Sequence, residues 1–260
     1  MTIGVRIDDL RGRACLVTGA STGIGAAVAR ALAAQGARVA AHYGSNREAA
    51  EALAAEAGAA GGEIVVVQRD LSDGRAAGPL VEEAAARLGG LDVLINNAGS
   101  PLGRVPIANA SDAFYDQVMD LNFRAVFVAC RAAIGIMRRQ GRGGAIVNTT
   151  SVAARHGGGP GALLYAAAKS AVSSLTRGLG RELAREDIRV NAVAPGVIAT
   201  PLHERLTPPD VMRGFLATIP MNRAGVPDEC VGAYLFLASP SLSGYMTGQI
   251  IEVNGGQYMP

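Results

Sequence analysis

The stretch TGASTGIG, residues 18–25, follows an apolar run at 14–18 and places Gly19, Gly23 and Gly25 where a strand would turn into a helix. Glycine permits a tight turn and lets the backbone approach a pyrophosphate, which can then rest on the free N–H groups of the following helix. For this spacing alone, a plain left-handed turn or a helix end is the alternative. Because no lysine follows the glycines, a kinase or NTPase phosphate loop is disfavoured. The stretch predicts a dinucleotide site at the start of an α/β fold.

Along the rest of the chain, short β-branched runs alternate with longer segments of helical period. We expect strands at residues 14–18, 38–41, 64–67, 93–95, 145–148, 189–193 and 250–253. Their almost wholly apolar character is typical of strands that helices cover on both faces. The pattern predicts one domain, residues 1–260, built as a Rossmann-type doubly wound sheet of seven parallel strands in three layers. A long segment at 197–227, rich in Pro and Met, could form a lid.

Charge and composition exclude several classes of function. The net charge is +2, and the arginines are scattered without an aromatic stripe between them, which disfavours nucleic-acid binding. No apolar run approaches the roughly 18 residues of a membrane span, and no signal segment is visible, so we expect a cytoplasmic protein without membrane contact. Cys15, Cys130 and Cys230 lie far apart in apolar stretches and predict buried thiols, with neither a disulfide nor a metal site.

The end of the second predicted strand indicates which dinucleotide is bound. An acidic side chain usually binds the ribose 2′-hydroxyl of NAD at this point, but the chain has no acid between Asp9 and Glu48. Hydroxyl, amide and guanidinium groups stand there instead and suit a 2′-phosphate. We therefore expect NADP(H), with NAD(H) the less favoured cofactor. The alternative is that Arg47 is an ordinary surface residue of the following helix.

The motif YAAAK, residues 165–169, contains the only lysine among the 24 basic residues of the chain. Tyr165 and Lys169 are four apart in a helical segment and so share one face, while Ser151 ends the fifth predicted strand. A phenol with an ordinary pKa near 10 becomes a useful proton donor or acceptor when a nearby cation stabilises the phenolate. The sequence therefore predicts that Lys169 lowers the pKa of Tyr165. An exposed lysine beside a packed tyrosine is the alternative.

Taken together, these motifs resemble the short-chain dehydrogenase/reductase family from about Arg11 to Tyr258. The others are NNAG at 96–99, Asp70, PG at 195–196 and the closing TGQIIEVNGG. The resemblance implies a catalytic tetrad of Asn122, Ser151, Tyr165 and Lys169. The implied cofactor-binding residues are Gly19, Ser21, Thr22, Gly23, Ile24, Gly25, Tyr43, Ser45, Asn46, Arg47, Asp70, Leu71, Asn97, Ala98, Gly99, Tyr165, Lys169, Pro195, Gly196, Ile198 and Thr200.

Structural roles remain open for three of these residues. Asp70 could cap a helix that begins after Leu71, and Asn97 and Asn122 could fasten the local backbone. In the implied reaction, hydride passes between nicotinamide and a carbonyl or secondary alcohol, with Ser151 holding the oxygen and Tyr165 as general acid or base. Lys169 would also hold the nicotinamide ribose and pass protons through a water near Asn122. A non-catalytic nucleotide-binding scaffold or sensor on the same fold is the alternative.

The substrate is expected to be a small carbonyl compound or alcohol. A 3-oxoacyl group on acyl carrier protein is an alternative, with Arg138, Arg139 and Arg181 as contacts for an acidic partner. Arg155 and His156, beyond the serine, would favour a polar or anionic group. Apolar side chains in the 197–227 segment would line the lid or pack on its own core. Long apolar segments at 114–137 and 163–183, together with the resemblance, predict a homotetramer.

Overall fold

The computed structural model describes residues 6–260, in which seven strands form one sheet. The expected domain 1–260 thus begins in residues that lie outside the described part. Every pair of neighbouring strands is parallel, and their order is β3-β2-β1-β4-β5-β6-β7. The strands are β1 Ala14–Val17, β2 Arg38–Tyr43, β3 Glu63–Gln68, β4 Val93–Asn96, β5 Gly144–Thr149, β6 Ile188–Pro195 and β7 Ile250–Val253. The predicted fold class is confirmed. β7 has the expected bounds, β1 is one residue shorter than expected, and the other five strands are one to three residues longer.

Helices connect the strands and cover both faces of the sheet. They are α1 Gly23–Ala34, α2 Arg47–Ala59, α3 Ala77–Leu88, α4 Asp112–Met119, α5 Ala125–Gln140, α6 Ala153–His156, α7 Leu163–Glu182, α8 Pro201–Leu206, α9 Pro209–Leu216, α10 Pro227–Ala238 and α11 Pro240–Ser243. A π-helical turn, Asp120–Arg124, joins α4 to α5. None of the helices in the described part is both long and apolar enough to span a membrane.

The helices and the sheet form three layers, with one apolar cluster on each face of the sheet. On one face, Val28 and Leu32 of α1 pack with Tyr234 and Leu235 of α10 against the sheet. On the other face, α3, α5 and α7 enclose the second cluster. Because both faces are covered, the five inner strands are almost entirely buried, which explains their continuous apolar runs. The edge strands β3 and β7 are mostly only partly buried.

The strand order reverses between β1 and β4. The chain leaves β1 toward β2 on one side and β4 toward β5 on the other, so a crevice opens at their carboxyl ends. The glycine stretch follows β1, and NNAG begins with the last residue of β4. Both predicted nucleotide motifs therefore lie at this crevice.

The segment 197–227 follows β6 and contains the short helices α8 and α9. Ile198 forms an isolated parallel bridge with Gly225, which closes the base of the segment on itself. Side chains on α8 and α9 are exposed or only partly buried, whereas Ile219 just beyond them is buried. Ile219 packs against Gly255 near the end of the chain. The segment is thus a flap, with little buried surface on its two helices, at the carboxyl edge of the sheet.

A second tie joins distant parts of the chain at the opposite edge. Asp9 lies in the 3₁₀ turn Asp8–Leu10, whose Leu10 is fully buried. Its carboxylate accepts hydrogen bonds from the Ser239 hydroxyl at 2.8 Å and from the Ser241 N–H at 2.7 Å. This contact fixes the turn against the end of α10.

Candidate active site

The glycine turn after β1 is tightly packed and has unused donors. Gly19 has a φ of +64°, and a Cβ added there would lie 2.9 Å from Ala98 Cα. A Cβ on Gly25 would collide with the carbonyl oxygen of Gly19 and come within 2.5 Å of Asn97 Nδ2. Thr22, the N-cap of α1, makes no side-chain capping bond, so the first N–H groups of the helix stay available. Only glycine fits this turn, and its donors face the crevice end of the sheet.

Thr18 and Asn97 fasten this turn to the end of β4. The Thr18 hydroxyl accepts hydrogen bonds from the N–H groups of Asn97 and Ala98 at 2.9 and 3.0 Å. The Asn97 amide donates to the carbonyl oxygens of Thr18 and Gly19 at 3.0 and 3.1 Å. The fastening role left open for Asn97 is therefore present. The role of Thr18 was not predicted, although it begins the quoted motif.

His42, near the end of β2, holds the glycine turn from the other side. Its Nδ1 accepts the Gly19 N–H at 3.0 Å, and its Nε2 donates to the Arg69 carbonyl oxygen at 2.8 Å. The side chain is 2% exposed, and burial lowers the pKa of its imidazole. A neutral ring with its proton on Nε2 satisfies both bonds. One imidazole thus links the turn after β1 to the end of β3.

The last residue of β2 and the residues that follow it present polar groups but no carboxylate. Tyr43 is buried and Ser45 is exposed. Asn46 caps α2 by accepting the Ala49 N–H at 3.1 Å, and Arg47 Nε donates to Glu51 Oε1 at 2.7 Å. The exposed pair with Glu51 gives Arg47 the surface role that the sequence left open, while its guanidinium keeps further donors.

Asp70 and Leu71 follow β3 at the same edge. Asp70 Oδ1 accepts the Ser72 N–H at 2.9 Å, and this bond lowers the pKa of the carboxyl. The capping role considered for Asp70 is wrong, because Asp73 caps the next turn by accepting the Arg75 N–H. The Asp70 carboxylate instead stays exposed at the crevice edge, beside buried Leu71.

Ser151 and Tyr165 meet beside the carboxyl end of β5. Ser151 lies two residues after the strand, and Tyr165 lies in the first turn of α7. Their hydroxyls share a hydrogen bond. Burial raises the pKa of Tyr165 to about 12, and the bond with Ser151 only partly offsets this. In the cofactor-free chain desolvation dominates this pKa, and the expected lowering by Lys169 stays a prediction for the enzyme with its cofactor bound.

Lys169 is 2% exposed, which excludes the solvent-facing alternative. Its Nζ lies 5.7 Å from the centroid of the Tyr165 ring and donates to the Thr149 carbonyl oxygen at 2.9 Å. Burial lowers its pKa to about 8. The ammonium thus lies over the ring and is directed at the backbone of β5.

Thr149 and Tyr234 complete this cluster and were missed from the sequence. Thr149 Oγ1 and Tyr234 Oη hydrogen bond at 2.8 Å, and Tyr234 is fully buried. Burial raises the pKa of Tyr234, so its hydroxyl stays protonated. Thr149 therefore holds Lys169 through its carbonyl and α10 through its hydroxyl. Its position two residues before Ser151 was the only signal in the sequence.

Asn122 lies in the π-helical turn and is fully buried. Its Oδ1 accepts the Ser100 N–H at 3.0 Å, and its Nδ2 donates to the carbonyls of Ser100 and Val118 at 2.8 and 2.9 Å. The fastening role is present here too. A Cβ added to Gly99 would lie 2.8 Å from Asn122 Oδ1 and 3.0 Å from Lys169 Nζ, so the two groups converge on one point.

The end of β6 closes the far side of the crevice. Gly196 packs so tightly that an added Cβ would lie 2.7 Å from Asn254 Cβ. Thr200 begins α8, and its Cγ2 lies 3.2 Å from the Cβ position of Gly23. The residues predicted at 195–200, including Pro195 and Ile198, therefore extend from the sheet to the glycine turn.

A sequence model of the family described as enoyl-(acyl carrier protein) reductase matches residues 19–257. The chain belongs to the short-chain dehydrogenase/reductase family. It is 38% identical over 250 residues to a 3-oxoacyl-[acyl-carrier-protein] reductase of Synechocystis sp., covering 96% of this chain and 98% of the relative. It is also 38% identical over 247 residues to the reductase of the same name from Staphylococcus aureus, covering 95% and 98%.

Comparison with solved structures supports the same family assignment. An NADH-dependent reductase responsible for alginate metabolism has a TM-score of 0.89 at 38% identity, covering 97% of this chain and 100% of that one. A structure of that reductase with NAD has a TM-score of 0.86 at 38% identity, covering 98% and 100%. The chain is accordingly an oxidoreductase acting on C=O or CH–OH groups with a nicotinamide cofactor, and the scaffold alternative is not supported.

The crevice of this short-chain reductase fits a dinucleotide. Its glycine turn leaves no room for a Cβ at Gly19 or Gly25, so the backbone itself forms the cradle. The uncapped start of α1 offers N–H groups and the positive end of a helix dipole to a pyrophosphate. Among residues 6–260, no group of three or more His, Cys, Asp or Glu side chains could hold a metal ion. Cys15, Cys130 and Cys230 are buried free thiols.

Arg155 does not offer its charge to a substrate of the reductase, contrary to expectation. Arg155 pairs with Glu252 at 2.8 Å, and both side chains are largely buried. Its guanidinium also lies over the Tyr258 ring at 5.7 Å. The positive charge is therefore neutralised within the protein. His156 ends α6 and is exposed.

Proposed function

We propose that the protein is an NADP(H)-dependent reductase of ketones, or dehydrogenase of secondary alcohols, with Tyr165 as the general acid and base. The observation that carries the proposal is the Ser151–Tyr165 hydrogen bond, with Lys169 Nζ over the phenol ring, beside the glycine turn. We propose residues 1–260 as one catalytic domain and the cytoplasm as its location.

The cofactor would lie along the crevice. Gly19, Ser21, Thr22, Gly23, Ile24 and Gly25 would hold the pyrophosphate, and Asp70, Leu71 and the backbone of Asn97, Ala98 and Gly99 the adenosine. Pro195, Gly196, Ile198 and Thr200 would face the nicotinamide end. When bound, nicotinamide supplies or accepts the hydride at the reacting carbon.

The protein's own groups handle the oxygen and its proton. In reduction, Ser151 donates a hydrogen bond to the carbonyl oxygen as negative charge develops, and Tyr165 transfers its hydroxyl proton to that oxygen. Tyr165 is fully protonated at neutral pH because burial raises its pKa to about 12, which suits the acid role in reduction. In oxidation, Tyr165 must act as a base, so its pKa must fall when charge gathers at the site.

Lys169 would supply that charge. Its pKa of about 8 leaves the ammonium mostly charged at neutral pH, and its remaining N–H groups can bind the ribose hydroxyls of the cofactor. Asn122 would act as a positioning residue, because all its described bonds hold the backbone at Ser100 and Val118. Protons would return to Tyr165 through Lys169 and the point near Gly99 on which Asn122 also converges.

The preference for NADP(H) rests on the segment after β2. Tyr43, Ser45, Asn46 and Arg47 place no carboxylate where a 2′-phosphate would lie, and the Arg47 fork suits a phosphate. The similarity to an NADH-dependent reductase argues in the other direction, so both cofactors belong in the first experiment.

Two substrate classes are supported. A small carbonyl compound fits the site chemistry, and a 3-oxoacyl group on acyl carrier protein is favoured by the names of two relatives. For the second, Arg181 is exposed and has no ion pair among the described residues, whereas Arg138 pairs with Glu186 and Arg139 with Glu82. Arg181 is therefore the better placed of the three to meet an acidic partner.

The test follows absorbance of NADPH and NADH after addition of ketones, sugars, steroids and a 3-oxoacyl thioester. We expect at least one ketone to be reduced, and Tyr165→Phe to lower kcat at least 100-fold, the usual scale of general acid catalysis. Tyr245→Phe, at a fully exposed tyrosine, is the matched control and should be silent. A Tyr165→Phe protein with wild-type kcat would contradict the mechanism.

A further inference from the structure

Arg104 lies on a loop that is held at both ends beside the candidate site. At one end Asn122 binds both the N–H and the carbonyl of Ser100. At the other, the Val105 N–H donates to the Gly161 carbonyl at 2.9 Å, and a Cβ on Gly161 would lie 2.8 Å from the Arg104 carbonyl carbon. Gly161 belongs to the connection between Ser151 and Tyr165. The backbone of Arg104 is thereby placed against Gly161, two residues before α7 begins and four residues before Tyr165.

The side chain of Arg104 spans the opening between this connection and the flap. Its Nη1 donates to the Pro160 carbonyl at 3.1 Å, and its Nε donates to the Leu206 carbonyl at 3.2 Å, at the end of α8. Its Nη2 makes a long bond of 3.4 Å to Thr207 Oγ1, and the guanidinium lies 5.2 Å from the Phe215 ring centroid. A guanidinium has five N–H donors, so one donor remains on each terminal nitrogen.

Every described partner of Arg104 is neutral. No ion pair joins it to a carboxylate among residues 6–260, and its pKa is lowered by desolvation alone, with no acidic group raising it. Arg155, on the same side of the site, differs because it pairs with Glu252. Arg181 also lacks an ion pair among the described residues, but it is exposed to solvent. A partly buried cation without a counter-ion is costly, and a bound anion would remove that cost.

We propose that Arg104 is a specificity-determining residue that binds an oxyanion, carboxylate or phosphate, on the part of the substrate remote from its reacting carbonyl. This inference rests on the proposed function and specifies its substrate class as an anionic ketone. The two free donors match the two oxygens of a carboxylate or phosphate in number. The position between the Pro160 loop and α8 lets one bound anion hold the flap against the site.

Matched substrates test the proposal and separate the two sources of the anion. Levulinate and levulinamide differ only in a carboxylate, while acetoacetyl-4′-phosphopantetheine and acetoacetyl-pantetheine differ only in a phosphate. Wild type should prefer the anionic member of at least one pair about 10- to 100-fold in kcat/KM, the range for a hydrogen bond to a charged group. Arg104→Gln should abolish the preference, and Arg104→Lys should keep part of it. Arg205→Gln, at an exposed arginine of α8, is the matched control and should change nothing.

Calorimetric binding of the same four compounds without cofactor gives a readout that needs no turnover. If an anionic compound binds through Arg104 but none is reduced with either cofactor, the inference stands and the proposed function fails. If wild type shows equal kcat/KM and equal affinity for the anionic and the neutral compound of both pairs, the inference is overturned. An Arg104→Gln variant whose kcat/KM falls equally for the neutral and the anionic compounds would also overturn the inference, because Arg104 would then only hold the flap.

Discussion

The ammonium group of Lys169 donates a hydrogen bond of 2.9 Å to the carbonyl oxygen of Thr149, the last residue of β5. The lysine is therefore oriented by the sheet, while its charge stays 5.7 Å from the centre of the Tyr165 ring. This arrangement requires a slender side chain, because Nζ already lies 3.0 Å from the Cβ position of Gly99.

Lys169→Arg should therefore lower kcat at least 100-fold although the formal charge is kept. The planar guanidinium is wider than the ammonium and cannot release a proton, so it fits neither the space beside Gly99 nor proton transfer. Steady-state kinetics and a thermal melt measure the effect. Arg185→Lys, on an exposed turn, is the reverse substitution and should be silent. A folded Lys169→Arg enzyme with kcat near wild type would refute the assigned role.

The pH dependence of cofactor use should report the pKa of Lys169. Since burial lowers that pKa to about 8, kcat/KM for the cofactor should fall as pH rises through about 8 and the ammonium is lost. The free energy of unfolding should change with pH in the opposite direction. Between about pH 8 and the usual value of 10.5 the unfolded chain binds the extra proton, so the free energy of unfolding should rise with pH. Lys169→Met should remove this contribution, and a kcat/KM that is flat to pH 10 would contradict the prediction.

Protonation of His42 should lower the stability of the folded chain in acid. By breaking the contact with the glycine turn, it should also weaken cofactor binding. Burial lowers the pKa of His42, with the charge of Arg69 acting in the same direction. As pH falls below about 6.5, the unfolded chain takes up a proton that the folded chain resists, so stability is lost, by at most about 1.4 kcal/mol per pH unit. Protonation also removes the acceptor for the Gly19 N–H. His42→Asn should flatten the unfolding profile between pH 5 and 6.5, whereas an unchanged profile would show that His42 does not titrate there.

Cofactor preference should depend on Arg47. Arg47→Gln should reduce kcat/KM for NADPH about tenfold and leave that for NADH unchanged, because one charged contact to a phosphate is lost. Ser45→Asp, at an exposed position, should shift the preference further toward NADH by repelling the 2′-phosphate. Glu51→Gln, which frees Arg47 from its partner, is the control and should not lower NADPH use. A wild-type preference for NADH would overturn the cofactor proposal.

Exposed aromatic side chains on α4 and α5 support a homotetramer. Tyr115 and Phe127 are 47% and 41% exposed, in the segment expected to meet another chain. Light scattering at micromolar concentration should give four times the chain mass of 26.5 kDa. Phe127→Glu should lower this mass by burying a charge in the interface, while Leu242→Glu, at an exposed residue of α11, should not. A monomeric mass for wild type would refute the assembly.

Local patterns predicted the sheet and the core of the site. The apolar runs indicated all seven strands, because nearly every residue of the five inner strands is buried and the edge strands β3 and β7 still carry short β-branched runs. The four-residue spacing of Tyr165 and Lys169 predicted their shared face. Contacts between distant parts of the chain were not predictable in this way. His42 reaches Gly19 from the neighbouring strand, 23 residues along the chain, and Thr149 reaches Tyr234 across 85 residues.

Burial and charge pairing were not predictable from the sequence. The pKa of Tyr165 rises because the phenol is desolvated, and the sequence does not give the extent of that desolvation. Arg155 is neutralised by Glu252, 97 residues away, so its charge could not be assigned to a substrate from local context. Arg104 carried no motif, and it is singled out only by its neutral partners together with its place between the Pro160 loop and α8.

The tie between Asp9 and Ser239 has a consequence for synthesis on the ribosome. The carboxylate of Asp9 emerges early, but its partner is made 230 residues later, and α1 likewise packs against α10. The opposite layer, formed by α3, α5 and α7, needs no residue beyond β6 to close. We therefore expect the nascent chain to condense on that side first, with α1 and the glycine turn left unsupported until translation is nearly complete. Chains truncated near residue 200 and released from the ribosome, which contain β6 but lack α10, should resist protease at α5 while remaining cleavable at α1.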